Sequence, residues 1–265
     1  ELTQHALIAR LDVGDIMHAG RLVEQARILE SDPSVGLVTS DFAFYTEEGY
    51  YLYQSRVDCE EVSQAIRHAD IAHFKSPAHA SVMFKRSAYV RVGGYRSEFY
   101  YAQDCDLWIR MLEHYRLRVA NLVLTSGVFS PRGISGQFPA RQRLYLLHAL
   151  KLRERRRKGE TDDLREVSAL ASEDQQKLKS KSLPEDTDKT AKQIAQANFF
   201  LAKCLMVNDT DRAAEYFKRV LVARPTMAKA WYFAMLNQLR PKRICKRSDE
   251  FNALNQVFTA KKEGT

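Results

Sequence analysis

The chain has 265 residues, a formal net charge of +8 and 45% hydrophobic residues, enough for one large domain or two smaller ones of ordinary globular composition. No apolar run approaches the ~18 residues of a membrane span, no signal peptide is visible, and Cys59, Cys105, Cys204 and Cys245 are scattered without Cys-x-x-Cys or Cys/His spacing, so neither a zinc module nor a disulfide framework is indicated. Reduced thiols and a cytoplasmic location are expected, and the positive charge points to an anionic partner: nucleic acid, a membrane face or a phosphate-bearing substrate.

Ala6 to Leu11 is a short apolar run that predicts a buried strand. It stops at Asp12-Val13-Gly14-Asp15. Acids at the carboxyl end of a buried strand stand where open α/β sheets bind ligands, and Mg²⁺ or Mn²⁺ prefers carboxylate and phosphate oxygens. The alternative is a polar turn in which Asp15 caps the next element. Ala19 to Ser31 predicts a helix with Leu22, Ala26 and Leu29 on one face, stopped by Asp32-Pro33. Val35 to Thr39 is a second apolar strand. Asp41 to Tyr53 predicts a hairpin around Glu47-Glu48-Gly49. Glu60 to Ala69 is a helix, Ala80 to Phe84 a strand, and Leu117 to Thr125 another strand. This alternation predicts an α/β layer structure with a mixed, mainly parallel sheet.

Arg91 to Met111 joins a Gly93-Gly94 turn and an aromatic run to a helix, with Trp108, Met111, Leu112 and Tyr115 at the spacing of one buried face. Asp104 and Asp106 fall at its start. There an acid is favoured by the helix dipole and can cap free N–H groups, or Asp104 can serve as a general base over the glycine loop. Gly127 to Phe138 is a loop in which Arg132 and Ser135 are candidates for phosphate or acceptor contacts, or plain solvated positions. Pro139 to Lys158 is a basic helix. Its cluster Arg153, Arg155, Arg156, Arg157 and Lys158 reads as a solvated face, with contact to anionic lipid as the other reading. Nucleic-acid binding is not expected, because no recognisable module or interleaved aromatics accompany the charge.

Thr161 to Thr190 has the composition of a linker or a loosely held helix. Beyond it the chain is helical again. Ala213, Phe217, Val220 and Pro225 fall at tetratricopeptide-like spacing, and Trp231 takes the large-residue position of a second repeat. An ordinary helix pair fits equally. The expected organisation is 1–159 as an α/β domain, 160–190 as a charged linker and 191–265 as an all-α helical hairpin appendage, with a basic tail from Arg240 to Thr265.

Three segments together resemble the inverting glycosyltransferases of family 2, which have the GT-A fold, a Rossmann-like mixed sheet. The first is Ile8 to Ile16 with Arg21-Leu22 and Gln25 behind it. The second is His79 to Arg86, running on to Val92-Gly93-Gly94-Tyr95-Arg96. The third is Ala102-Gln103-Asp104-Cys105-Asp106-Leu107-Trp108-Ile109-Arg110. Ser130-Pro131-Arg132 and Arg156-Arg157-Lys158-Gly159 also match segments that often come after these in the family. The resemblance covers Leu7 to Gly159.

It implies transfer of a sugar from a nucleotide-diphosphate donor to an acceptor hydroxyl, with inversion. Asp104 would be the base. Asp12 and Asp15 would hold a divalent metal, Mg²⁺ or Mn²⁺, and with Arg132 the donor. His79, Gly93, Gly94, Tyr95 and Asp106 would face the acceptor: a glycan, a lipid-linked acceptor at the cytoplasmic membrane face, or a protein. Trp108 is expected in the core.

Gly14 stands where the family usually has a metal-contacting aspartate, and Gln103 replaces the usual glutamate. The family's nucleotide-binding half should precede the acidic segment, yet eleven residues precede Asp12, so the chain is expected to be a piece of a longer protein. A non-catalytic protein-binding module, with a degenerate site and repeat-like helices that dock a partner, is the alternative.

Overall fold

The structure is a computed structural model, and it describes residues 4–179 and 187–244. Cys245 and the end of the basic tail lie outside the described residues. Two compact units separate by their internal contacts. One comprises Glu1–Phe42, Ser55–Thr125 and Pro139–Leu183, the other Ala43–Gln54, Ser126–Phe138 and Pro184–Thr265.

In chain order, the first elements are β1 (Leu7–Ala9), β2 (Ile16–Met17), α1 (Arg21–Ser31), β3 (Val35–Tyr45), β4 (Tyr51–Ser55) and α2 (Cys59–Arg67). After a short helical turn at His79–Ser81 come β5 (Met83–Lys85), α3 (Arg86–Arg91), α4 (Gln103–Leu112), β6 (Arg116–Val128), α5 (Ile134–Gln137) and α6 (Pro139–Arg157). Four helices complete the described chain: α7 (Arg165–Lys179), α8 (Thr187–Asn208), α9 (Thr210–Ala223) and α10 (Ala228–Gln238).

The sheet order is β1-β5-β3-β6-β2, with β4 paired to β3. The sheet is mixed, as expected, but its antiparallel share is larger than the strand–helix alternation suggested. β5 runs antiparallel to β1, with Leu7 opposite Lys85 and Ala9 opposite Met83. It also runs antiparallel to β3, with Leu37 opposite Phe84. Hence β1 and β3 point the same way with a reversed strand between them. The first nine residues of β3, Val35 to Ala43, are all buried, which needs cover on both faces and fits the apolar start of the strand at Val35 to Val38.

In the first unit, Leu29 of α1 packs with Val35, Val38 and Met83. Helix α1 departs from expectation. Its buried positions are Arg21, Gln25 and Leu29, whereas Leu22 is 45% exposed. Helix α4 was expected to bury one face, yet every residue from Cys105 to Met111 is buried. Trp108 is fully buried, in keeping with its core role. Of the segment expected to be a linker, residues 165–179 form α7, whose Asp174 accepts bonds from Tyr145 of α6 at 2.9 Å and from Arg141 at 3.1 Å.

The second unit contains the tip of the expected hairpin. Thr46 N–H donates to the Tyr50 carbonyl at 2.8 Å, and Gly49 supplies the positive φ of 85° that a tight turn needs. Helices α8 and α9 fold back on each other at Asp209, which caps α9 by accepting from Arg212 N–H at 2.9 Å. Ala213, Phe217 and Val220 are buried, the expected stripe, and Leu201, Leu205 and Phe217 join Leu52 in the unit's core. Trp231, by contrast, is 56% exposed and Ala230 is the buried residue of α10 there. Among the described residues, no helix is long and apolar enough to cross a membrane.

Candidate functional site

Antiparallel pairing of β1 with β5 brings the end of one beside the start of the other. Arg10 N–H donates to the Val82 carbonyl at 2.9 Å, so the acidic turn after β1 lies against His79, just ahead of β5. Asp15 N–H closes that turn onto the Asp12 carbonyl at 3.1 Å. Gly14 holds φ at +92° with open space where a Cβ would stand. This is the third position of a turn that calls for positive φ, a place for glycine and not for aspartate. The glycine therefore has a local reason: it folds Asp12 and Asp15 back toward each other.

The charges of this turn act on one another. Burial pushes the Asp15 carboxyl up to about 7, the neighbouring Asp12 charge pushes the same way, and Arg21 opposes them. Asp12 pairs with Arg10 at 2.7 Å and its other oxygen lies 3.8 Å from His79 Nδ1. That last contact is not a full ion pair. Burial lowers the His79 pKa below its ordinary 6.5, with the charges of Asp104 and Asp12 only partly opposing it, so the imidazole is neutral near pH 7. Its Nε2 lies 2.7 Å from the Tyr95 hydroxyl. Burial raises the Tyr95 pKa, so the phenol keeps its proton.

Asp104 reaches this group from another element. It sits in the first turn of α4, near enough for its charge to act on both His79 and Tyr95. Trp108, one turn further on, contacts the His79 ring edge-on at 6.0 Å between centroids. Asp12, His79, Tyr95 and Asp104 thus form one connected electrostatic group, drawn from all three of the sequence segments singled out. Gln103 is exposed as the first residue of α4. No side chain caps the helix. Its N-cap is Ala102 with φ of 53°, so neither acid plays the capping role that the sequence allowed.

Asp106 has a different role from the acceptor contact expected of it. It is 1% exposed, accepts from Arg110 Nε at 3.0 Å and Nη2 at 2.6 Å, and lies 3.5 Å from Arg96. Arg110 donates onward to the carbonyls of Val92 and Gly94, at 2.6 and 2.8 Å. The ion pair therefore pins the glycine turn to α4. Gly93 and Gly94 hold φ of +79° and +70°, and a Cβ on Gly94 would stand 2.7 Å from the Tyr89 ring. Arg132 lies in the second unit, exposed, with its N–H donating to Ser130 Oγ at 3.1 Å.

Arg21 and Gln25 are the site residues that the apolar-stripe reasoning missed. Arg21 is 1% exposed. Its Nε donates to Gln25 at 2.9 Å and its Nη2 to the Arg10 carbonyl at 2.8 Å. Gln25 in turn donates to the Ser81 carbonyl at 2.7 Å. These bonds tie the end of β1 to the turn ahead of β5, and so support Asp12 and His79 from behind. Burial lowers the Arg21 pKa to about 10, with Asp15 opposing the shift. Its Nη1 has no hydrogen-bond partner. The family resemblance already placed Arg21 and Gln25 behind the acidic turn, and their four-residue spacing is the local signal that the apolar stripe passes over.

As for the expected metal, no group of three or more His, Cys, Asp or Glu is arranged to hold an ion among the described residues. Asp12 and Asp15 are two carboxylates whose repulsion a cation would relieve. That suits Mg²⁺, which commonly takes one or two carboxylates and completes its shell with water and substrate phosphate. No protein-family model matches the chain, and no curated protein matches it.

Proposed function

We propose that the chain is part of a GT-A-type inverting glycosyltransferase of the family 2 kind, and that Asp104 is its general base. One observation carries the reading. The acid at the end of β1 and the acid at the start of α4, ninety-two positions apart in the sequence (104 minus 12), both act on the single imidazole of His79. This is what a donor-side and an acceptor-side carboxylate facing one pocket would produce.

The chemistry is a single displacement. The acceptor oxygen forms a bond to the anomeric carbon as the bond from that carbon to the nucleotide diphosphate breaks. Asp104 takes the hydroxyl proton and the diphosphate leaves with the electron pair. One carboxylate base is sufficient, in contrast to the acid–base pair of glycoside hydrolysis. A divalent metal supplies charge neutralisation for the leaving diphosphate when bound, and Asp12 and Asp15 are the residues that would hold it. The neutral His79 and the protonated Tyr95 hold hydrogen-bonding groups at the acceptor side without adding charge beside the base. The buried Arg21–Gln25 bonds fix the acidic turn in place.

The test is release of nucleoside diphosphate from a panel of sugar nucleotides by the full-length protein, with Mg²⁺ or Mn²⁺ and with glycan or lipid-linked acceptors. Turnover that depends on metal and is lost in Asp104→Asn supports the reading. Absence of any donor or metal heat in calorimetry would instead favour a protein-binding role for helices α8 to α10.

A further inference from the structure

A cavity of about 750 Å³ opens in the first unit between α2, the end of α4, the start of β6 and the end of α6. It shares no lining residue with the acidic site. Asp104 stands at the start of α4 and this cavity at its finish, roughly 12 Å away along a helix that rises ~1.5 Å per residue. Six arginines line it: Arg67, Arg116, Arg118, Arg153, Arg156 and Arg157. They come from three elements: Arg67 from α2, Arg116 and Arg118 from β6, and Arg153, Arg156 and Arg157 from α6.

The acids nearby do not balance them. Glu113 and Asp162 both bond Arg156, and Asp162 is shared with Arg96. Glu154 alone serves both Arg153 and Arg157. Glu60, on the wall, is bonded to Gln64 at 2.6 Å. Asp32 feels the charges of Arg116 and Arg118 at a distance, but its hydrogen bonds go to Ser34. Arg67, Arg116 and Arg118 are exposed and form no ion pair with any described carboxylate. Helix dipoles do not close the gap either. The ends of α4 and α6 supply about half a negative charge each, about one charge against three unpaired guanidiniums. A concave site of this size suits a small ligand, and a planar guanidinium fork matches phosphate and sulfate oxygens.

We infer that this cavity binds a small polyanion carrying two or more phosphate or sulfate groups, with Arg67, Arg116 and Arg118 as its free contacts and Arg153 at its floor. The bound anion stands clear of Asp104, so the site is separate from the proposed transfer chemistry and does not depend on it.

Isothermal titration of the full chain with tripolyphosphate and with a trisulfated disaccharide, at physiological salt, tests this. The expected result is saturable one-to-one binding of at least one probe, and affinity about tenfold or more weaker in the double variant Arg116→Glu, Arg118→Glu. The exposed control Lys218→Glu keeps full affinity. Tighter binding of tripolyphosphate assigns a phosphorylated ligand, and tighter binding of the disaccharide a sulfated one. Both positions are surface-exposed, and an unchanged melting temperature shows that the double variant is folded. Equal binding by the double variant, binding that weakens equally in the control, or no saturable heat with either probe overturns the inference. Arginine-dependent binding of single-stranded DNA without binding of either small probe overturns it as well.

Discussion

Tyr95 and His79 are joined by a 2.7 Å hydrogen bond between the phenol oxygen and Nε2, although 16 positions separate them in the sequence. The Asp12 carboxylate beside Nδ1 favours a proton on that nitrogen, which leaves Nε2 to accept from the phenol. The bond is partly buried, and each partner sits against aromatic rings: Tyr95 against Tyr89, and His79 against Trp108.

Single and double substitution of this pair, Tyr95→Phe and His79→Phe, is expected to show coupling of about 0.5–1.5 kcal/mol in denaturant unfolding, the net value of one such bond. Each single change strands one polar group or removes it. Strictly additive losses would mean that the bond contributes nothing to stability.

Asp104 and Asp106 sit on the same helix and are expected to respond oppositely. Asp104→Asn removes an acid from the first turn, which costs stability less than about 1 kcal/mol, while transfer by the full-length protein falls about 10²–10⁴-fold. Asp106→Asn breaks a buried pair with Arg110 and is expected to cost about 3–5 kcal/mol. Urea unfolding of both variants checks the contrast. Comparable destabilisation by the two would show that Asp104 is a structural residue like its neighbour.

Asp15 predicts a pH dependence in the metal-free protein. Its folded-state value is raised from 3.8 to about 7, chiefly by burial. Between those values the folded chain holds a proton that the unfolded chain has released, so stability falls as pH rises through this window and levels off above it. Thermal melting across that range is expected to show the fall in the native sequence and its loss in Asp15→Asn. On the proposed reading, in which Asp12 and Asp15 hold a divalent metal, the same ionisation is expected to govern metal binding. Titration with Mn²⁺ is then expected to show affinity that strengthens as pH rises to about 7, because the Asp15 carboxylate must lose its proton first.

Gly94→Ala meets two penalties at once, a positive φ of 70° and a Cβ within 2.7 Å of the Tyr89 ring. Loss of about 1–3 kcal/mol is expected. Gly14→Ala shares the positive φ but has open space around it, so it is expected to cost less, about 1 kcal/mol. Melting of both variants separates the steric part from the backbone part, and equal losses would contradict the packing against Tyr89.

Most elements were legible because their signals are local. The helix before Asp32-Pro33 and the basic helix after Pro139 carry their own stops, and the run Ala6–Leu11 marks a strand, although β1 is an edge strand, half-buried at Leu7 and Ile8 and exposed at Ala9, and not the buried strand expected. The Ala213–Phe217–Val220 stripe carries its own periodicity. The misreadings share a cause. At α1 the apolar Leu22 looked like the inward residue, but the interior beside the acidic turn needs hydrogen-bond donors for the Arg10 and Ser81 carbonyls. Arg21 and Gln25 supply them and Leu22 turns to solvent. At α4 a one-sided stripe was expected, and Asp106 and Arg110 were not recognised as buried, because a charged pair looks like surface until its partner is placed.

The sequence by itself determined that Asp12, Asp15, His79, Tyr95 and Asp104 were the residues to watch. Residue type and position marked the three acids, two after an apolar run and one opening a helix behind a glycine turn, whereas His79 and Tyr95 were marked only by the resemblance to family 2 glycosyltransferases. Only the tertiary structure decided that Asp12 and Asp104 act on one histidine, that Asp106 is a buried strut, and that six arginines line a cavity at the far end of α4. Each of these facts depends on pairing between distant segments. β1 meets β5 through backbone hydrogen bonds, and the ends of α4 and α6 meet through packing. Distance and desolvation, which set the strength of a charge interaction, do not exist until those segments are in contact.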